Sequence, residues 1–181
     1  LPRPDAALVA ACHGTLAARQ PALLCFSPDG RIVGPETADP HLSFRYEPKL
    51  RLRIAGRGAD CLALARLALA SGIDARLFLR DDADMEEARW LGFTAIEPLK
   101  TPSSLPDPED DAATAFLVSF HDSDWETALL KQALAGPAFY IGAVGSRRTH
   151  EARCACLVAA GVDPADVERT RGPVGLVPSM R

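Results

Sequence analysis

A chain of 181 residues, 48% hydrophobic and 24% charged, is long enough to bury a core and reads as one domain with an appendage. Its 20 basic and 24 acidic residues leave a net charge of −4, which argues against nucleic acid or an anionic membrane as partner, so any cation-rich site must be local. Five cysteines without a C-x-x-C pair make no disulfide framework, no window nears the roughly 20 apolar residues of a spanning helix, and no signal-peptide pattern opens the sequence, so the expectation is a cytoplasmic chain with free thiols.

Leu1 to Gly34 reads as a small α+β appendage. Ala6 to Arg19 has helical spacing, with Leu8, Ala11, Thr15 and Ala18 along one face. Ala22 to Phe26 and Arg31 to Val33 flank Ser27-Pro28-Asp29-Gly30, a turn sequence suited to a hairpin. Gly34 to Lys49 holds three prolines and shows no clear period, so it is read as a linker. The expected division is therefore 1–49 and 50–181.

From Leu50 strands and helices alternate. Leu50 to Gly56 is a strand, Gly56-Arg57-Gly58 a tight turn, and Leu62, Ala65 and Leu69 mark a helix ending near Gly72. Ala75 to Leu79 is a second strand, closed by Arg80-Asp81-Asp82. Asp84 to Leu91 is a helix with acids in its first turn and Arg89 near its end, as the helix dipole favours. Thr94 to Ile96 is a short third strand, and the proline- and acid-rich stretch Pro98 to Asp111 reads as an exposed loop.

Thr114 to Phe120, apolar throughout its centre, is expected to be a central strand, with His121-Asp122 at its carboxyl end. Asp124 to Ala135 is helical and stops at Gly136-Pro137. An apolar run from Ala138 to Ile141 then enters Gly142-Ala143-Val144-Gly145-Ser146-Arg147-Arg148-Thr149-His150, and a helix follows to Gly161. Free amides at a helix start favour an anion, and two guanidiniums in the first turn strengthen that preference. One arginine is expected to face the rim and the other the surface, since successive helical residues differ by about 100°. Asp163-Pro164 starts a short last helix, as cap and first-turn proline.

This alternation predicts an α/β fold, a Rossmann-like parallel sheet in the order 3-2-1-4-5 counted from Leu50, with helices on both faces. Ligands of such sheets sit beyond the carboxyl ends of the strands, where Gly56, Arg57, Gly58, Asp81, His121, Asp122, Gly142, Gly145, Ser146, Arg147 and Arg148 would gather. His13, His41, His121 and His150 have no zinc-type spacing with one another or with cysteine, and no G-x-S-x-G turn is present.

The stretch Phe139-Tyr140-Ile141-Gly142-Ala143-Val144-Gly145-Ser146-Arg147-Arg148-Thr149 resembles the Y-I-G-A-L-G-S-R-R-T signature of the XdhC/CoxI family, the xanthine dehydrogenase accessory proteins. Supporting matches are His121-Asp122, the first glycine turn and Gly172-Pro173-Val174-Gly175-Leu176. The resemblance covers roughly the last two-thirds of the chain. It implies a protein that binds molybdenum cofactor (molybdopterin or its dinucleotide form), protects it during sulfuration with a sulfurtransferase as possible partner, and delivers it to an apo molybdenum hydroxylase. It implies that Gly142, Gly145, Ser146, Arg147 and Arg148 bind phosphate while His121 and Asp122 line the rim.

The sequence departs from the family pattern in three places. Cys61 stands where a dinucleotide fingerprint has its third glycine, and Asp60 occupies the first turn of that helix, where a diphosphate would sit. Leu1 to Gly34 has no counterpart of the family's Gly-Gly-Cys segment. Gly175-Leu176 continues into Val177-Pro178-Ser179-Met180-Arg181 instead of Asp-Ile-Gly-Ala.

Two other readings remain open on the residues. In an NAD(P)-dependent oxidoreductase, Asp81 would bind the ribose hydroxyls and Arg80 a 2′-phosphate. The other reading is an interaction module that keeps the fold without a ligand. A homodimer is expected, because the N-terminal helix and hairpin are too small to fold alone.

Overall fold

The structure, a computed structural model, describes residues 5–37, 39–103, 105–106 and 110–174. The chain separates into two compact units, Leu1–Lys49 and Leu50–Arg181. In the first unit, helix α1 (Ala6–Ala17) is capped by Asp5, whose carboxylate accepts from the Ala7 and Leu8 amides. Strands β1 (Ala22–Phe26) and β2 (Ile32–Val33) form the expected hairpin.

The expected linker is not wholly a linker. Leu42–Tyr46 is a strand, β3, and pairs antiparallel with β1, placing Phe44 opposite Leu24 and Tyr46 opposite Ala22. Leu42, Phe44 and Tyr46 alternate with Ser43 and Arg45, a period-two pattern. Pro35, Pro40 and Pro48 lie outside the strand, so none interrupts its hydrogen bonds. Phe26 and Phe44 meet edge to face, with ring centroids 5.8 Å apart.

The second unit is built in chain order from β4 (Arg51–Gly56), α2 (Gly58–Ala70), β5 (Asp74–Leu79), α3 (Asp82–Trp90), β6 (Ile96–Pro98), β7 (Thr114–Ser119), α4 (Ser123–Leu134), β8 (Tyr140–Ala143), α5 (Arg147–Ala159), α6 (Pro164–Val167) and β9 (Thr170–Arg171). Its sheet is wholly parallel in the order β6-β5-β4-β7-β8-β9, which is the expected order with β9 added at the far edge. The third strand lies two residues later than expected and includes Pro98. On an edge strand a residue without an N–H costs the ladder little. The Gly175–Leu176 end of the last motif lies outside the described residues.

Alternation along the strands divides the core. Ile54 and Leu117 pack with Cys61, Leu62, Ala65, Met85 and Ala88 of α2 and α3, while Ala55, Phe116 and Val118 pack with Leu129, Leu130 and Leu157 of α4 and α5. All six residues of β7 are buried, as a strand covered on both faces requires. No helix among the described residues is long and apolar enough to cross a membrane.

The proline-rich stretch after β6 is less exposed than expected. Leu99 and Leu105 belong to the core, and the Asp110 side chain is fully buried against Arg53 of β4, Nη1 to Oδ1 2.8 Å. The Arg53 guanidinium also lies over the rings of Phe78 and Phe116, 4.6 and 5.6 Å from their centroids. A buried carboxylate is tolerable only with such a partner, and the pair thereby pins the stretch leading into β7. Asp110→Ala is therefore expected to lower the unfolding free energy in urea by about 3 kcal/mol, and adding Arg53→Met to recover much of that loss. A single-variant loss within ~0.5 kcal/mol, the range of ordinary surface substitutions, would contradict the assignment.

Candidate functional site

Two glycine turns follow two of the strands, β4 and β8, that flank β7, and they differ chemically. At the first, Gly56 closes β4, and a Cβ there would stand 2.6 Å from the Ser119 carbonyl and 2.8 Å from Cys61 Sγ. The Arg57 N–H donates to Ser119 O, 3.1 Å. Gly58 adopts φ +75°, a left-handed value that suits glycine. Its N–H donates to the carboxylate of Asp84, reaching over from α3, at 2.5 Å.

One amide of this helix start is thus already taken by the protein's own anion, and exposed Asp60 adds a second carboxylate in the same turn. Cys61, in place of the third glycine, is fully buried, and burial with the Asp84 charge pushes its thiol pKa up to about 12. It packs as a small apolar residue beneath the turn.

Around the first turn basic and acidic side chains face each other. Arg57 lies 3.4 Å from Asp81, and His121 Nε2 lies 3.8 Å from Asp60. Arg80 lies over the Trp125 ring, 4.9 Å from its centroid, and 3.8 Å from Asp122. Asp122 is the N-cap of α4, accepting from the Asp124 and Trp125 amides. Arg57, Gly58, Asp60, His121 and Asp122 line an open cleft of about 440 Å³, whereas Gly56 and Asp81 are not among the residues lining it.

The second turn has the opposite character. Gly142 lies inside β8, not in the loop: a Cβ there would meet Tyr140, Val174 and Leu117 within 2.7–2.9 Å, so its place is one of packing. Gly145 adopts φ +144° and faces Thr149 and Arg153 closely, which makes it the glycine the loop requires. Ser146 caps α5, its Oγ accepting from the Thr149 amide at 3.1 Å and lying 2.8 Å from the Thr149 hydroxyl. The N–H groups of Gly145, Ser146, Arg147 and Arg148 donate to no described residue. Arg147 and Arg148 are both exposed and form no ion pair among the described residues, and the first turn of α5 contains no acid.

Sequence reasoning missed the residues that hold this loop. Arg153 is 1% exposed and bonds Glu126 of α4 through Nε (3.0 Å) and Nη2 (2.9 Å), while Nη2 also donates to the Val144 carbonyl at 2.8 Å. Its remaining nitrogen, Nη1, is buried without a hydrogen-bond partner among the described residues. Arg153 and Thr149, one helical turn apart, border a second cleft of about 390 Å³ together with Glu126 and Cys156. His121 and Asp122 line both clefts, so the two adjoin at the end of β7. The available signal was the pair of four-residue spacings, Asp122–Glu126 and Thr149–Arg153, on helices that follow neighbouring strands.

The thiols give a direct check on this geometry. In the native chain iodoacetamide is expected to modify exposed Cys156 and to leave Cys61 untouched until urea is added, since only a thiolate reacts. Early labelling of Cys61, read by mass spectrometry, would contradict its burial.

Residues 52–180 match the family model described as the XdhC Rossmann domain. Among curated proteins, the molybdenum cofactor insertion chaperone PaoD of Escherichia coli (strain K12) is 30% identical over 136 residues, which cover 75% of this chain. The same stretch spans only 36% of the chaperone's own length. Among solved structures, a xanthine dehydrogenase from Bacillus halodurans matches with a TM-score of 0.64 at 19% identity, over 93% of this chain and 56% of that one, a likeness of fold. With the family model matching residues 52–180, the greater part of its length, the chain belongs to the XdhC family through a Rossmann domain.

Proposed function

We propose that this chain is the cofactor-holding part of an accessory protein for molybdenum hydroxylases of the xanthine dehydrogenase type. It binds molybdenum cofactor, as molybdopterin or its dinucleotide form, and hands it to the apoenzyme. The observation that carries this reading is the second turn: four amides and two arginines without a partner among the described residues, and no carboxylate in the first turn of α5. Molybdopterin carries a phosphate, and a helix start so equipped suits one. The cofactor is cargo, so the chain's task is to bind and release it, and no residue is assigned a catalytic role.

Each part of the rim has a task in this reading. Gly145 lets the backbone approach the anion, Ser146 holds the loop as cap, and Arg147 and Arg148 supply charge-assisted hydrogen bonds. Arg57, Gly58, His121 and Asp122 line the neighbouring cleft and contact the rest of the cofactor. Gly142 and Gly56 keep the strands close beneath it, and Asp81 holds Arg57 in place. An apo molybdenum hydroxylase is the receiving partner, a sulfurtransferase a second partner, the cytoplasm the compartment, and a homodimer the working form.

An NAD(P)-dependent oxidoreductase is a poorer fit. A diphosphate in its usual place would have to displace Asp84 from the Gly58 amide and lie beside Asp60. Arg80, which would have met a 2′-phosphate, is engaged with Trp125 and Asp122.

Replacing Arg147 or Arg148 by alanine is expected to weaken binding of molybdenum cofactor by about 1.5–3 kcal/mol, roughly tenfold to a hundredfold. The melting temperature should hardly move, since both side chains are exposed. Normal cofactor affinity in both variants would reject the assignment of the phosphate to this loop.

A further inference from the structure

We infer, resting on the cofactor reading above, that the rim takes its ligand in one direction only. The anionic group lies in the half between α4 and α5, on the spare Arg153 nitrogen and the open amides of Ser146 to Arg148. A hydrogen-bond-donating ring edge, such as the aminopyrimidine of a pterin, lies in the half beside Asp60 and Asp122. Two independent features of the molecule favour this polarity.

The first is Arg153. A guanidinium offers five N–H donors, and its burial leaves no water to satisfy those unused by Glu126 and Val144. Nη1 has no partner, yet the side chain borders the second cleft beside Thr149. A buried unpaired donor is costly unless something arrives to accept from it, and an oxyanion is the strongest such acceptor. The Ser146–Thr149 pair adds to this: with one hydroxyl hydrogen used between them, the other is free to donate to a ligand. Glu126 does not oppose an anion there, because its charge is already met by Arg153 at 2.9 Å.

The second feature is the chemistry of the first turn. Asp84 already fills the Gly58 amide, Asp60 lines this cleft and not its neighbour, and Asp122 stands where the two clefts meet. Among the described residues the basic side chains facing them, His121 for Asp60 and Arg80 for Asp122, stand 3.8 Å away in both cases, which leaves carboxylate lone pairs open to donors. A phosphate here would meet carboxylates at short range, whereas amino and ring N–H groups would find acceptors. Of the two helix starts that follow glycine turns, the protein thus answers one with its own carboxylate, while the Ser146, Arg147 and Arg148 amides of the other have no acceptor among the described residues. Because the clefts share His121 and Asp122, one extended ligand can occupy both.

The test is amide-resolved NMR on the whole chain, titrated separately with inorganic phosphate and with unsubstituted pterin. Phosphate is expected to shift the amides of Ser146, Arg147 and Arg148 and the Arg153 Nε signal, leaving Gly58 to Asp60 in place. Pterin is expected to shift Ala59, Asp60 and His121 first. Phosphate perturbing Gly58 to Asp60 first, or neither turn, would overturn the inference. Arg153→Lys retains a charge beside Glu126 but loses the fork, and should weaken phosphate binding about tenfold. An unchanged phosphate affinity in a folded Arg153→Lys chain would remove the buried donor from the site and overturn the inference as well. A parallel titration with molybdopterin cytosine dinucleotide separates the two readings. If the cofactor fails to bind while phosphate and pterin sort as stated, the cofactor reading fails and the direction stands. If the cofactor binds with its phosphates shifting Gly58 to Asp60, the direction fails and the cofactor reading stands.

Discussion

The buried ion pair between Arg153 and Glu126 is the interaction on which the candidate site depends. It joins α5 to α4 across the end of the sheet, and by donating to the Val144 carbonyl it also fixes the entry to the glycine loop. Taking two such charges out of water costs several kcal/mol each, and mutual attraction recovers this only when the remaining polar atoms are satisfied. Here one nitrogen finds no acceptor among the described residues. A hydrophobic pair could join the helices with no such liability, so the cost points to a use for the guanidinium beyond packing. Arg53 and Asp110 form a second buried pair, where the chain enters β7, and that guanidinium is enclosed by two aromatic rings.

The same backbone device, a strand running through glycine into a helix, occurs twice and ends in opposite electrostatics. After β4 the helix start is answered from within by Asp84, and the turn is lined with acids. After β8 the start of α5 holds no acid in its first turn, and Arg147 and Arg148 form no ion pair among the described residues. Backbone geometry alone would make both turns anion sites. Side chains decide between them, which is why a Rossmann-like sheet by itself says little about ligand.

Much of the second unit was legible in the sequence because its signals are local. The apolar run of β7, the glycine turns and the Asp163-Pro164 start each declare an element within a few residues, and alternation then restricts the topology to few choices. The first unit was read less well. Leu42, Phe44 and Tyr46 do alternate, but nearby prolines suggested a linker, and only pairing with β1 settles the strand. At the site, Gly145, Ser146 and the arginine pair stood out, whereas Asp84 and Arg153 did not. Asp84 meets Gly58 from another helix and Arg153 finds its partner on α4, so both depend on contacts between elements distant in sequence. Gly142 stands apart from them: it sits in the motif, and its position inside β8 is closely packed against Val174 and Leu117.

In the proposed function, the open turn after β8 holds the phosphate of molybdenum cofactor while the filled turn after β4 turns away nicotinamide dinucleotides. Calorimetric titration of the purified chain with molybdopterin cytosine dinucleotide and, separately, with NAD and NADP tests it most directly. Saturable binding of the cofactor with no heat from either nicotinamide dinucleotide is the predicted result. Tight binding of NAD or NADP with none of the cofactor would contradict it.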